Sequence, residues 1–135
     1  MGRSLLILLD THVVLWLAAD EVRLSKKAKV AIDEARQGDG GLAISDFTLY
    51  ELSALFRKKQ IGLSISLESF LSEVEKRFVV LPITARICVS AVALPVAYPK
   101  DPADRIIGAT ALVEGLTLLT ADAKIRNSRA VPTLW

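Results

Sequence analysis

Two residue types that often carry site chemistry are nearly absent: the 135-residue chain has one cysteine and one histidine. Cys88 alone cannot form an internal disulfide, and its apolar-rich neighbourhood points to a buried thiol in a reducing cytoplasm. His12 alone cannot build a histidine-rich metal site, and no Gly-x-Ser-x-Gly segment offers it a nucleophile. A phosphate-cradling glycine loop is missing as well. No uncharged apolar span approaches the roughly 18 residues that cross a bilayer, so no membrane association is expected. Arg3 before Leu5 to Leu9 loosely imitates a secretory signal, but the run is short, ends in Asp10 and lacks a small-residue cleavage pattern. Neither sign of charge dominates. Seventeen Lys and Arg against 15 Asp and Glu leave +2, which permits an anionic partner without demanding one. Repeats, linkers and low-complexity segments are also lacking.

What is present suits a single domain over residues 1–135. A hydrophobic share of 52% allows a sizeable core without disulfides or a structural metal. Leu5-Leu6-Ile7-Leu8-Leu9 is a continuous apolar run and reads as a strand buried on both faces. Further strands are expected at Leu42 to Ile44, Phe78 to Leu81, Leu116 to Leu119 and Val131 to Leu134. Helical spacing marks the segments between them. Thr11 caps a short apolar helix through Trp16, and Ser25 opens a helix stopped by Gly38. Thr48 to Phe56 forms a third, ahead of Gly62. Ser66 to Arg77, Thr84 to about Pro95 and Ala103 to Glu114 follow, with Gly115 closing the last. The stretch carrying Lys124, Arg126 and Arg129 reads as a short polar segment. Strands alternating with helices argue a parallel sheet with helices on both faces.

Four acids occupy comparable places in that pattern. Asp10 follows the first strand and Asp122 the fourth. Glu51 lies in the first turn of the helix after strand two, and Asp104 in the first turn of the helix before strand four. With parallel strands, all four project at one edge of the sheet, the edge where open α/β sheets bind ligands. Clustered carboxylates stay ionised together only when a cation neutralises them or water separates them. A hard divalent ion such as Mg²⁺ or Mn²⁺ takes oxygen ligands, activates water and polarises a phosphoryl oxygen. Phosphodiester hydrolysis suits this chemistry and needs no nucleophilic side chain.

Each acid also has a local structural explanation. Thr48-x-x-Glu51 fits a capping box. Asp101-Pro102-Ala103-Asp104 fits a cap, a proline at the first helical position and a charge favourable to the helix dipole. Asp10 and Asp122 can each cap the helix that follows. Their shared edge favours function, because four independent caps need not converge. His12 is open to a packing role or to contact with substrate or metal-bound water. Thr11, Ser45 and Thr120 flank the acids and can orient them, or can serve as turn residues. Lys26, Lys27, Lys29, Arg57, Lys58 and Lys59 read as solvated helix faces. Lys100, Arg105, Lys124, Arg126 and Arg129 lie beside the acids and can hold phosphates, or can serve solubility and ion pairing.

The ordered set Leu8-Leu9-Asp10-Thr11-His12, Ser45 through Glu51-Leu52, Asp101-Pro102-Ala103-Asp104-Arg105 with Ile107 to Ala111, and Leu119-Thr120-Ala121-Asp122 resembles a PIN domain, and specifically the VapC-like toxins of bacterial toxin–antitoxin pairs. The resemblance runs essentially the full length. It implies a three-layer α/β/α fold with a central five-stranded parallel sheet, and a Mg²⁺- or Mn²⁺-dependent endoribonuclease. Asp10, Glu51, Asp104 and Asp122 map to the family's four acids, with Asp10 and Asp104 as direct metal ligands, Glu51 and Asp122 acting directly or through waters, and Asp101 auxiliary. It also implies a homodimer, a VapB-like antitoxin that occludes the site, an RNA substrate and a cytoplasmic setting. Trp16, Phe56 and Phe70 are candidates for interfaces, or for core. The sequence departs from the family pattern at Ala103, where an aromatic is usual, and at Gly108-Ala109-Thr110, where alanine and glutamine are common.

Three other readings compete. A PIN fold that binds RNA without cutting would be expected to lack an acid, and all four are present. A haloacid-dehalogenase-like phosphatase needs a second acid two residues after Asp10, where His12 stands. A phospho-acceptor receiver needs an acid after strand three, where Leu81-Pro82 stands.

Overall fold

The computed structural model describes residues 6–38, 40–58 and 64–135. The first apolar run forms β1 (Ile7–Leu9), with Leu8 and Leu9 fully buried. Because strand side chains alternate, Leu9 faces one core and Leu8 the other. β2 (Leu42–Ser45) repeats the alternation, with Leu42 and Ile44 on Leu9's side and Ala43 on Leu8's. So does β4 (Leu118–Leu119). β3 (Val79–Leu81) and β5 (Thr133–Leu134) form the edges. Every pairing is parallel, and the order is β3-β2-β1-β4-β5. This is the expected five-stranded sheet. Leu5, Asp39, Lys59 and Gly62 lie outside the described residues.

β4 is shorter than its apolar run because Leu116 belongs to a turn. The Leu116 N–H donates to Ala111 O, and Gly115 takes the left-handed conformation (φ 69) that closes the preceding helix. Only glycine adopts that backbone freely.

The helices divide between the two faces. α1 (Thr11–Ala19), α2 (Lys26–Gln37), α3 (Asp46–Arg57) and α4 (Leu67–Arg77) build the core around Leu9, Ile44 and Leu119. A 3-10 turn, Glu21–Arg23, joins the first two. α6 (Pro102–Glu114) and α7 (Ala123–Ser128) cover Leu8, Ala43 and Leu118. α5 (Ala85–Val92) packs on α6 through Ile87, Ala91 and Ala109. The result is a three-layer α/β/α arrangement. Phe70 is core, and Trp16 and Phe56 are half-buried. Phe56 stacks on Phe70 at 5.9 Å between centroids.

Several local expectations need correction. Of the two residues offered as the cap of α1, Asp10 takes the place and Thr11 does not, the carboxylate accepting from the Thr11 N–H at 2.9 Å. Ser45 caps α3, so the helix starts at Asp46 and Thr48-x-x-Glu51 is not a capping box. Glu51 therefore sits in the second turn. The basic stretch after Asp122 is helical, since the Asp122 carboxylate accepts from the Lys124 and Ile125 N–H groups. Cys88 is exposed, because Ile87 and Ala91 take the buried stripe of α5 and Cys88 falls on the opposite side.

Candidate active site at the carboxyl edge

The chain leaves β1 toward β2 on one side and later returns to place β4 on the other. β1 and β4 therefore flank the topological switch point, where a crevice opens beyond the strand ends. Asp10 and Thr120 are the first residues past those two ends. The Asp10 N–H donates to Leu119 O at 3.0 Å, which continues the ladder into the site.

Asp10 is only 7% exposed. The Thr120 hydroxyl donates to its Oδ2 at 2.7 Å, and the Thr11 N–H holds Oδ1. Burial pushes the Asp10 carboxyl above its usual range, with Asp122 adding to the shift, while these two hydrogen bonds and nearby His12 oppose it. The same Thr120 oxygen accepts the Asp122 N–H at 3.1 Å. One hydroxyl thus sets both acids on the β1–β4 side.

Glu51 reaches the edge from α3. The Thr11 hydroxyl donates to its Oε1 at 2.5 Å. Thr11 has one hydroxyl hydrogen, so the 3.0 Å contact with Thr48 is donated by Thr48. Thr48 was read only as a cap; its place in this relay required knowing that α1 and α3 meet here. Burial also raises the Glu51 carboxyl, with Thr11 opposing, and Asp10 and Asp101 contribute repulsion.

Asp104 approaches from the first turn of α6. Asp101 caps that helix by accepting from the Ala103 and Asp104 N–H groups at 2.8 and 3.2 Å. The buried Tyr98 hydroxyl donates to the Asp104 carbonyl at 2.8 Å. A Cβ on Gly108 would stand 2.2 Å from that hydroxyl. The glycine, a departure from the family pattern, is thus the space Tyr98 occupies. Sequence reasoning singled out Gly108 but missed its contact with Tyr98, since nothing local signals a contact across ten positions. Burial first, then Asp10, Asp101, Asp122 and Glu51, pushes the Asp104 carboxyl up to about 7. The other three expected acids therefore all bear on Asp104.

Asp46 also lies at this edge, where its Oδ2 accepts the Ile83 N–H at 3.3 Å and ties α3 to the segment before α5. Ser45, open to orienting an acid or to a turn role, takes the second: its hydroxyl accepts the Phe47 N–H and caps α3. Two expected phosphate holders are engaged elsewhere. Arg105 donates to Ala91 O and Leu94 O at 3.0 and 3.3 Å, securing the end of α5. Arg126 donates to Ala121 O at 3.3 Å. Lys100, Lys124 and Arg129 are exposed.

The donor set suits a hard divalent cation. It is made of carboxylate oxygens, without a ring nitrogen or thiolate needed. Ion pairs among the described residues lie on the surface, at Asp20 and Glu73, and none neutralises these acids. The carboxylates are gathered without being closed up: among the described residues no three are already posed around one ion.

A sheet in this order, with acids at its switch point, is an α/β fold that binds ligands at its carboxyl edge. The PIN domain family model matches residues 7–130, and the chain belongs to that family. Within it, the chain is similar to ribonuclease VapC22 of Mycobacterium tuberculosis, at 38% identity over 123 residues, covering 91% of this chain and 92% of that protein. The fold matches VapBC2 from Rickettsia felis bound to a promoter DNA fragment, with a TM-score of 0.71 and 17% identity over 96% of this chain and 97% of that one. It also matches DNA-bound VapBC from Salmonella typhimurium, with a TM-score of 0.69 and 19% identity over 95% and 96% of the two chains.

Proposed function

We propose that this chain is a divalent-metal-dependent endoribonuclease that serves as the toxin of a toxin–antitoxin pair. The observation that carries the reading is the convergence of Asp10, Glu51, Asp104 and Asp122 on the switch-point crevice with no cation paired to them. The similar ribonuclease from M. tuberculosis supports RNA as substrate. Solved relatives described as toxin–antitoxin complexes support a VapB-like antitoxin partner, and the family expectation adds a homodimer. Among the described residues no helix is long and apolar enough to cross a membrane, and cytoplasmic RNA is the accessible substrate for such an enzyme.

In this reading Asp10 and Asp104 hold a Mg²⁺ or Mn²⁺ ion, with Glu51 and Asp122 beside them. The ion supplies Lewis acidity to a phosphoryl oxygen and eases deprotonation of water. The protein's own work is positional. The Thr11 N–H and Thr120 hydroxyl fix both oxygens of Asp10, leaving lone pairs on each for a cation. The Thr48-to-Thr11-to-Glu51 chain aims the glutamate. The Asp101 cap and the Tyr98 hydroxyl fix the turn that carries Asp104. Lys100, Lys124 and Arg129 are left to meet phosphates.

RNA cleavage with Mg²⁺ or Mn²⁺ tests this, comparing the native chain with Asp10→Asn and Asp104→Asn. Each substitution is expected to lower the rate on the order of 10²–10³-fold or more, as loss of a group that holds transition-state charge does. Undiminished cleavage by both variants would sink the assignment.

A further inference from the structure

A cavity of about 420 Å³ lies beside the acids, between α1 and α3, lined in part by His12, Trp16, Asp20, Arg23 and Leu55. Its place follows from helical spacing. Thr11 and Leu15 are four residues apart on α1, as Glu51 and Leu55 are on α3, so each pair shares a helix face. The Thr11–Glu51 bond shows that these two faces meet at the edge. Moving one turn along the helices, about 5.4 Å, leads from Thr11 and Glu51 to Leu15 and Leu55 in the cavity walls, which His12, the neighbour of Thr11, also lines. Those walls carry flat rings and a cation. Exposed His12 stands 6.1 Å from the Trp16 ring, the Arg23 guanidinium lies 5.5 Å from its centroid, and Trp135, which does not line the cavity, packs 5.8 Å from it. The Asp20 carboxylate, 3.3 Å from Arg23, adds an acceptor at the rim. Unpaired RNA bases are recognised by such means, through stacking on aromatic rings or guanidinium planes and hydrogen bonds to their edges.

We propose that this cavity is a nucleobase subsite: it holds one unpaired base next to the scissile phosphodiester, stacked against His12 and the Arg23–Trp16 pair. The inference rests on the ribonuclease reading and adds to it a residue-level source of substrate preference. A protein segment is the weaker fit here. The groove formed by Val14, Leu17, Phe70, Val74 and Phe78 offers the row of apolar anchors a partner helix uses, and the His12–Arg23 cavity does not.

The test uses the full chain and a single-stranded RNA that it cleaves, with each position near the cut replaced in turn by an abasic ribose. At one flanking position the replacement is expected to lower kcat/KM about ten- to hundredfold, the usual effect of losing one stacked base. The His12→Ala/Arg23→Ala variant should lose a similar factor on intact RNA and become indifferent to the abasic position. Indifference of the native chain at every position overturns the subsite. So does a variant whose loss is the same on intact and abasic RNA, or a variant impaired only in binding a protein partner. A second measurement separates this from failure of the ribonuclease reading. In a Trp135→Phe background, Trp16 is the sole indole, and RNA binding to the Asp104→Asn form with Mg²⁺ should quench it, an effect lost in Arg23→Ala. Quenching without cleavage by any Asp104-containing chain supports the subsite and overturns the nuclease. Absence of quenching overturns the subsite even where cleavage occurs.

Discussion

The two sides of the candidate site are built differently. On the β1–β4 side, Asp10 has both carboxylate oxygens held by hydrogen bonds, and the threonine that holds one of them also receives the Asp122 N–H. On the α6 side, the turn bearing Asp104 is fixed through its backbone, by Asp101 and Tyr98, and no hydrogen bond to the Asp104 carboxylate is recorded among the described residues. Strand ends in a parallel sheet are rigid and close together, so they can orient a side chain atom by atom. A helix start can be placed only as a unit. In the proposed metal site the strand side would present a fixed ligand, and the helix side a carboxyl pushed up to about 7 whose proton a cation would displace.

The largest expected contrast comes from removing one acid on each side. Both Asp10→Asn and Asp104→Asn should abolish cleavage, yet they should differ without metal. Asparagine can still accept the Thr11 N–H, and the Thr120 hydroxyl can accept from its amide, so Asp10→Asn should keep the cap and the fold. Asp104→Asn removes a carboxyl already held up by four neighbours and should raise thermal stability in chelator at pH 8. An Asp104→Asn chain less stable than native under those conditions would contradict the repulsion on which the metal reading depends.

Thr120→Val comes next. It keeps the shape of the strand end but deletes a donor to Asp10 and an acceptor for Asp122. Loss of such an orienting bond typically costs 10–100-fold in metal affinity or activity. Titration with Mn²⁺ should show the weaker binding, and unchanged affinity would mean that the Thr11 N–H and packing orient Asp10 without the Thr120 hydroxyl.

On the helix side, Gly108→Ala is the sharper probe. Its Cβ would meet the Tyr98 hydroxyl at 2.2 Å and the ring carbon beneath it at 2.6 Å, so the ring must move. Overpacking of this kind costs about 1–3 kcal/mol. Tyr98→Phe leaves the ring and deletes only the bond to Asp104 O, at about 1 kcal/mol. Denaturant midpoints should therefore rank native, then Tyr98→Phe, then Gly108→Ala. The reverse order would mean that the hydroxyl, not the ring, fixes the turn.

The strand side was also the more legible in sequence. An apolar run ending in an acid shows both the strand and the carboxylate at its edge, and Asp10 stands where Leu5 to Leu9 placed it. Six of the seven helices have N-caps that the sequence offered: Asp10, Ser25, Ser66, Thr84, Asp101 and Asp122. The errors share a cause. A Thr-x-x-Glu pattern has the same spacing at a helix start as inside a helix, so Thr48 and Glu51 mimicked a box three residues past the true cap at Ser45. α7 buries a single residue, Ile125, and so shows no stripe. The roles of Arg105, Tyr98 and Gly108 depend on how α5 and α6 pack, which no local pattern carries.

The last contrast is a pH slope in the metal-free chain. Asp104 has its folded pKa raised to about 7 from an ordinary 3.8. Between those values the folded chain holds a proton that the unfolded chain has released. Stability therefore falls as pH rises through that window and levels off above about 7. Asp10 and Glu51, also raised, bend the curve the same way. Adding Mn²⁺ should oppose the fall, because the ion replaces the proton between the carboxylates. Melting in chelator from pH 4.5 to 8 should thus decline in the native chain, decline less in Asp104→Asn, and flatten when Mn²⁺ is present. A native chain that instead gains stability toward pH 7 would place Asp104 beside a positive partner and remove the reason for a cation at this edge.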